Sequence, residues 1–98
     1  MPTTAATLRL ARAVDQLDDA ERDAFEAEIA AAPGLLARTD LTELDVIELW
    51  LKANRYEGSA AAFLNAGIGT TAAIFARTAA ELGAELDRRF SRVRFVGA

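Results

Sequence analysis

Neither cysteine nor histidine occurs in these 98 residues. The first absence removes a disulfide framework and thiolate chemistry. The second removes the commonest general base and metal ligand at neutral pH. A metal site would have to be built from oxygen alone, of the calcium or magnesium type. Ser59, Ser91 and the threonines have no histidine to activate them as nucleophiles. No apolar run approaches the roughly 20 residues that span a bilayer. The opening Met1-Pro2-Thr3-Thr4 lacks the charged start and apolar stretch of a secretory signal. Together these gaps predict a non-enzymatic, cytoplasmic protein with no cofactor, no metal ion and no membrane partner.

What is abundant is alanine, with 23 residues against 12 leucines and one tryptophan. Alanine is the best intrinsic helix former, and its small side chain lets helix axes come close. A chain of this length buries roughly two thirds of the surface it exposes when unfolded, enough for one modest core. Residues 1–98 therefore read as a single helical domain. The net charge of −4 conceals an uneven distribution. Residues 1–50 carry four arginines against eleven acids, giving −7, and residues 51–98 carry seven bases against four acids, giving +3. Such asymmetry fits a plain solvated surface, a charged partner or head-to-tail self-association. Ten arginines against one lysine point to a GC-rich bacterial or phage genome.

Hydrophobic spacing divides the chain into five helical segments. Thr4 to about Leu17 places Leu10, Val14 and Leu17 on one face. Asp18 with Glu21 forms a capping box that opens the second helix, whose buried stripe is Phe25, Ile29 and Ala32. Pro33-Gly34 ends it, with the glycine taking a left-handed turn, and Leu35-Leu36 tucks onto the core. Asp40 with Glu43 repeats the capping-box signature and predicts a third helix to about Asn54. Leu44, Ile47 and Leu51 define one face of it, and Val46, Leu49, Trp50 and Ala53 widen the apolar surface past a single stripe. A helix this apolar is either central to the bundle, the simpler reading, or partly exposed for a partner around Trp50. Gly58-Ser59 then starts a short helix, Ala60 to Ala66, anchored by Phe63 and stopped by a left-handed Gly67. Thr70 or Thr71 caps the longest helix, to about Phe90, which buries Ile74, Phe75, Thr78, Ala79, Leu82, Leu86 and Phe90. Gly83 inside it marks the close approach of a neighbour. The expected architecture is all-α, a compact orthogonal bundle of about five helices with a short C-terminal tail that is helical or extended.

Two features resemble sites without the residues to complete them. The acids between Asp15 and Glu28 are spread around a helix and its cap and lack the loop glycine of an EF-hand. Gly67-Ile68-Gly69-Thr70-Thr71 sets two glycines before a helix start, where amides can cradle an anion. No lysine follows, and the segment before it is helix rather than strand. The C-terminus is the sharpest feature. Arg88, Arg89, Arg92 and Arg94 form the densest charge cluster, interleaved with Val93, Phe95 and Val96. At helical spacing this is the last turn of the bundle; at period two it is an edge strand that needs a partner chain. Either way the arginines are expected to face outward against an acidic surface, such as the Asp15–Glu28 face of a second copy. The expected partner-binding residues are Arg88, Arg89, Arg92, Arg94, Phe95 and Trp50, and the expected partner is a protein or another copy of the chain.

Gly58-Ser59, Ala60-Ala61-Ala62, Glu81-Leu82-Gly83 and Arg92-Val93-Arg94-Phe95-Val96 follow one another in an order that resembles the DNA-reading end of LysR-type transcriptional regulators. That resemblance implies a winged helix-turn-helix and a nucleic acid partner. The sequence departs from it where DNA would be read. Gly67-Ile68-Gly69 replaces the family's polar turn, and Arg77 is the one basic residue between Thr70 and Ala80. Phosphate contacts dominate DNA affinity and base contacts need long polar side chains, so nucleic acid is disfavoured. Val46, Trp50-Leu51, Phe63, Ile68 and Thr78 to Leu82 fall near the apolar spacing of the sterile alpha motif. That similarity implies a five-helix protein-interaction module, although the glycine usual before its last helix is missing. The reading is a small helical interaction module, an adaptor or assembly subunit, with a winged helix-turn-helix regulator as the alternative.

Overall fold

A short polar side chain opens three of the helices. Thr4 Oγ1 accepts from the Thr7 amide at 3.0 Å and starts α1 (Ala5–Asp15). The Asp18 carboxylate accepts from the Glu21 amide at 2.7 Å while Glu21 reaches back to the Asp18 amide at 3.1 Å, a complete capping box at the start of α2 (Asp19–Ala31). Asp45 and Glu48 repeat it at 2.8 and 3.3 Å before α4 (Val46–Asn65). Between α2 and α4 lies the short α3 (Arg38–Glu43), and α5 (Gly69–Val96) closes the chain. This computed structural model describes the backbone of residues 4–96 and the side chains of residues 4–91. Among those residues the protein is an all-α bundle of five helices with no strand.

α4 and α5 form an antiparallel hairpin around which the rest is arranged. Its turn is a Schellman motif: Gly67 sits at φ 79°, its amide donates to Leu64 O at 3.1 Å, and the Ile68 amide donates to Phe63 O at 2.9 Å. At the turn end, Phe25, Ala60, Ala72, Ala73 and Ala76 form one core, with Leu10, Val14, Leu17, Ile29 and Phe63 packed around it. Phe75 stacks on Phe63 and on Tyr56, with ring centroids 5.3 and 5.6 Å apart. At the open end, Leu41, Leu49, Ala53, Leu82 and Leu86 form a second core, flanked by Leu36, Leu44 and Tyr56. α1 packs on α4, α2 on α5, and α3 on the C-terminal half of α5.

Five sequence expectations are corrected. Asp40 and Glu43 do not cap a helix: α3 begins at Arg38 with no side-chain cap, and the real box lies five residues on at Asp45 and Glu48. Gly58-Ser59 does not break the chain. Ala60 and Ala61 are buried, and that packing outweighs the roughly 1 kcal/mol cost of a mid-helix glycine. Neither Thr70 nor Thr71 is a cap, because the Ile68 carbonyl already accepts from the Ala72 amide at 3.0 Å and α5 begins at Gly69. Gly34 is not left-handed; α2 leaves through an extended Ala32 before Pro33, and the Glu81 carboxylate occupies the space a Gly34 side chain would need. Gly83 meets no neighbour, since a Cβ there would have nothing within 4 Å.

The segment left open between helix and strand is settled for the backbone, which stays helical to Val96. The winged helix-turn-helix layout is therefore not the one adopted by the described residues. Gly58-Ser59 is interior to α4, and Glu81-Leu82-Gly83 and residues 92–96 are interior to α5. The five short helices of a sterile alpha motif are likewise replaced, after Leu41, by the end of α3 and two long helices.

Candidate functional site

α4 is covered unevenly along its length. Leu49, Ala53 and Ala60 turn inward toward α5 and are buried. On another face, α1 covers the C-terminal half, where the Arg9 guanidinium passes beside Gly58. α1 has 11 residues and α4 has 20, about 16 Å against about 30 Å at 1.5 Å per residue. The N-terminal half of α4 therefore runs past the end of its cover. There Ile47 is 69 % exposed, Leu51 55 % and Trp50 37 %, with Val46 similar to Trp50. Phe90, one turn beyond the buried Leu86 on α5, is also exposed, so both long helices present apolar side chains at the open end of the hairpin.

Isolated exposed apolar residues are ordinary; several large ones on one helix face are not. The polar residues bordering this face are also exposed. Asp45 and Glu48 lie at the start of α4, Arg55 lies two turns further on, and Lys52 between them is half-buried. The expectation of a central α4 is thus only half met. Leu49 and Ala53 are central, while Ile47, Trp50 and Leu51 are not. Phe90, expected in the buried line of α5, is exposed for the same reason: the second core ends at Leu86 and Leu49, and no helix lies beyond it among the described residues.

The arginine cluster divides. Arg89 does not face outward. Its guanidinium donates to Glu85 at 3.0 Å, to Leu41 O at 3.1 Å, to Thr42 O at 3.2 Å and to Leu44 O. It gathers the free carbonyls at the end of α3, where a cation also suits the helix dipole. Arg77 does the same for α2 through Ala30 O at 3.3 Å. Arg88 is half-exposed and pairs with Glu85 at 2.9 Å. The Glu85 side chain is only 8 % exposed because the two guanidiniums cover it. Hydrogen bonds from Arg88 and then Arg89 hold its carboxyl below the usual glutamate range, and desolvation opposes them only in part. The side chains of Arg92, Arg94 and Phe95 lie outside the described residues. Of the expected partner-binding residues, Trp50 stands on the exposed face, and Arg88 and Arg89 form an internal strut on α5.

The other candidate chemistry is accounted for locally. The Glu28 carboxylate lies beside Gly69 at the start of α5, where it supplies the negative charge that the helix N-terminus favours. Asp18 and Glu21 serve the cap of α2, and Asp19 pairs with Arg22 at 3.7 Å. Among the described residues no three acidic side chains converge on a common point, and no helix is long and apolar enough to cross a membrane. An open recess of about 380 Å³ beside α5 is lined mostly by Leu10 and small residues such as Ala79 and Gly83, with Glu57 and Asp87.

Ile47, Leu51 and Phe90 were missed by sequence reasoning as exposed residues. The signal for the first two was present, since Val46, Ile47, Leu49, Trp50 and Leu51 are five apolar residues in six positions and one buried stripe cannot take them all. Compared with known protein families, characterised proteins and solved structures, the chain matches none.

Proposed function

We propose that this chain is a non-enzymatic protein-interaction module, and that it docks through the N-terminal half of α4. The observation that carries the reading is the exposure of Ile47, Trp50 and Leu51 on a helix whose Leu49 and Ala53 are fully packed. Tryptophan is among the residues most enriched at the energetic centre of protein interfaces, and the apolar Ile47 and Leu51 beside Trp50 would exclude water around it. The composition supports a binding role over a catalytic one, because histidine and cysteine are both missing. The DNA-reading alternative has less support: α5 places Ala73, Ala76 and Ala80 in the stretch that would read bases, with Arg77 turned to Ala30 and Glu81.

The test is a double variant, Ile47→Glu/Leu51→Glu. Both side chains are exposed, so the variant is expected to keep the helical circular dichroism and melting temperature of the parent. Proteins retained by the parent chain, and by Leu8→Glu as a control on exposed α1 surface, should be lost from the double variant. A folded double variant that retains the same proteins would sink the assignment of this face.

A further inference from the structure

The exposed face of α4 is bordered by charges in an order that is complementary to itself. Glu48 and Arg55 are both exposed and lie seven residues apart, almost two full turns. They therefore stand on the same flank of the Ile47–Leu51 face, the acid toward the N-terminus and the base toward the C-terminus. When two such helices pack antiparallel about a two-fold axis, each flank meets the same flank of the other copy. An axis passing between Leu51 and Lys52 brings residue 48 of each copy beside residue 55 of the other. Glu48 then meets the second copy's Arg55, and Arg55 meets the second copy's Glu48. A parallel arrangement would instead set each flank against the opposite flank of the other copy, and neither Glu48 nor Arg55 would meet its counterpart.

The surroundings of α4 obey the same axis. Position 58 of one copy falls beside position 45 of the other. Arg9 of α1 lies beside Gly58, so it arrives at the end of the second copy's α4, where Glu43, Asp45 and Glu48 are all exposed. The flank of α4 thus runs from acid to base, with Arg9 of α1 adding a base at the basic end. About this axis the two Leu51 side chains meet at the centre, and Trp50 of each copy lies over position 53 and Ile47 over position 56 of the other.

We infer that the partner of this face is a second copy of the chain, seated antiparallel on α4 with reciprocal Glu48–Arg55 pairs. This rests on the proposal that the N-terminal half of α4 is the docking face, and names its occupant. Charge pairs at the rim of an interface set register and orientation more than raw affinity, which is the role given to them here, while the apolar side chains supply the adhesion.

Sedimentation equilibrium of the whole chain tests it, with the single tryptophan, Trp50, as a second readout. The parent is expected to dimerise reversibly, with its emission moving to the blue as concentration rises. Arg55→Glu, which makes two Glu–Glu encounters, should weaken the dimer about tenfold, and Glu48→Arg should do likewise. An equimolar mixture of those two variants restores both pairs and should give a one-to-one heterodimer of near-parental affinity. Glu48 also completes the cap of α4, so circular dichroism must show each variant folded. Should Glu48→Arg fail to fold, Arg55→Glu compared with Arg55→Gln replaces it, and the reversed charge must weaken association more than the neutral one. A parent that stays monomeric at every concentration reached, or a mixture that associates no better than either variant alone, overturns the inference. If Ile47→Glu/Leu51→Glu still abolishes retention of another protein in that case, the docking face stands and only its occupant was wrong; if it does not, both fail.

Discussion

The guanidinium of Arg89 donates to the carbonyl of Leu44, joining the C-terminal half of α5 to the residue at which α3 ends. The same group serves Leu41 O, Thr42 O and Glu85. Removing it takes the shared donor from three carbonyls and leaves Glu85 with Arg88 alone. Arg89→Ala is therefore expected to cost about 2 kcal/mol, in line with charge-assisted hydrogen bonds in partly buried settings. Arg88→Ala breaks only a half-exposed pair and should cost about 0.5 kcal/mol. Urea denaturation of the two variants compares them directly, and equal losses would show that the carbonyl cap contributes nothing.

Glu85 should make stability fall in acid. Its carboxyl is held below the ordinary value of 4.5 by Arg88 and Arg89. A group depressed in the folded state binds a proton more readily when unfolded. Its contribution is therefore complete above the unfolded value and is lost as pH falls from there through the folded value. Urea midpoints taken below pH 4.5 should drop more steeply for the parent than for Glu85→Gln, which cannot titrate. Parallel curves would remove Glu85 from the acid response.

Helix α4 should depend on Asp45 and not on Asp40. Asp45→Ala loses the hydrogen bond to the Glu48 amide at 2.8 Å and should cost about 1 kcal/mol. Asp40 is exposed in the first turn of α3 and caps nothing, so Asp40→Ala should stay within about 0.5 kcal/mol of the parent. A larger loss at Asp40 than at Asp45, read from thermal or urea melts, would contradict the observed boundary.

Those two aspartates show how far the sequence carries. Asp18-x-x-Glu21, Asp40-x-x-Glu43 and Asp45-x-x-Glu48 are the same local signature, and two of them cap a helix. What separates the false one is tertiary. Leu41 is buried against Leu82 and Leu86, Leu44 takes an extended conformation, and Arg89 from α5 collects the carbonyls between them. A bond across 45 residues is invisible to a local pattern. The helical class, the cap of α2 and the left-handed stop at Gly67 were legible because each depends on neighbours within one or two turns.

The candidate face was legible in part for a related reason. Excess apolar width around Trp50 can be counted along the chain, but which half of α4 stays uncovered depends on how far α1 reaches. Likewise, four clustered arginines read as surface charge, and only the approach of α3 turns Arg89 inward. Long-range partners decide both questions, and composition carries no trace of them.

The glycines give the last prediction, because three of them meet opposite conditions. Gly67 holds φ 79°, a conformation that costs an L-residue roughly 1–2 kcal/mol, so Gly67→Ala should destabilise by about 1 kcal/mol even though a Cβ there touches nothing. Gly83 has ordinary helical geometry, and a Cβ there also touches nothing within 4 Å. Alanine at that position removes backbone freedom from the unfolded chain and strains nothing in the folded one, so Gly83→Ala should stabilise by roughly 0.5–1 kcal/mol. Gly58 is intermediate. A Cβ would lie 3.4 Å from the Arg9 guanidinium, the end of a flexible side chain that can shift, so Gly58→Ala should gain less than Gly83→Ala. The ordering Gly83→Ala above Gly58→Ala above Gly67→Ala, measured by thermal denaturation, depends on α4 and α5 running unbroken through residues 58 and 83. If Gly83→Ala were the most damaging of the three, a neighbouring element would have to lie against α5 at that point, and the open recess beside Gly83 would not exist.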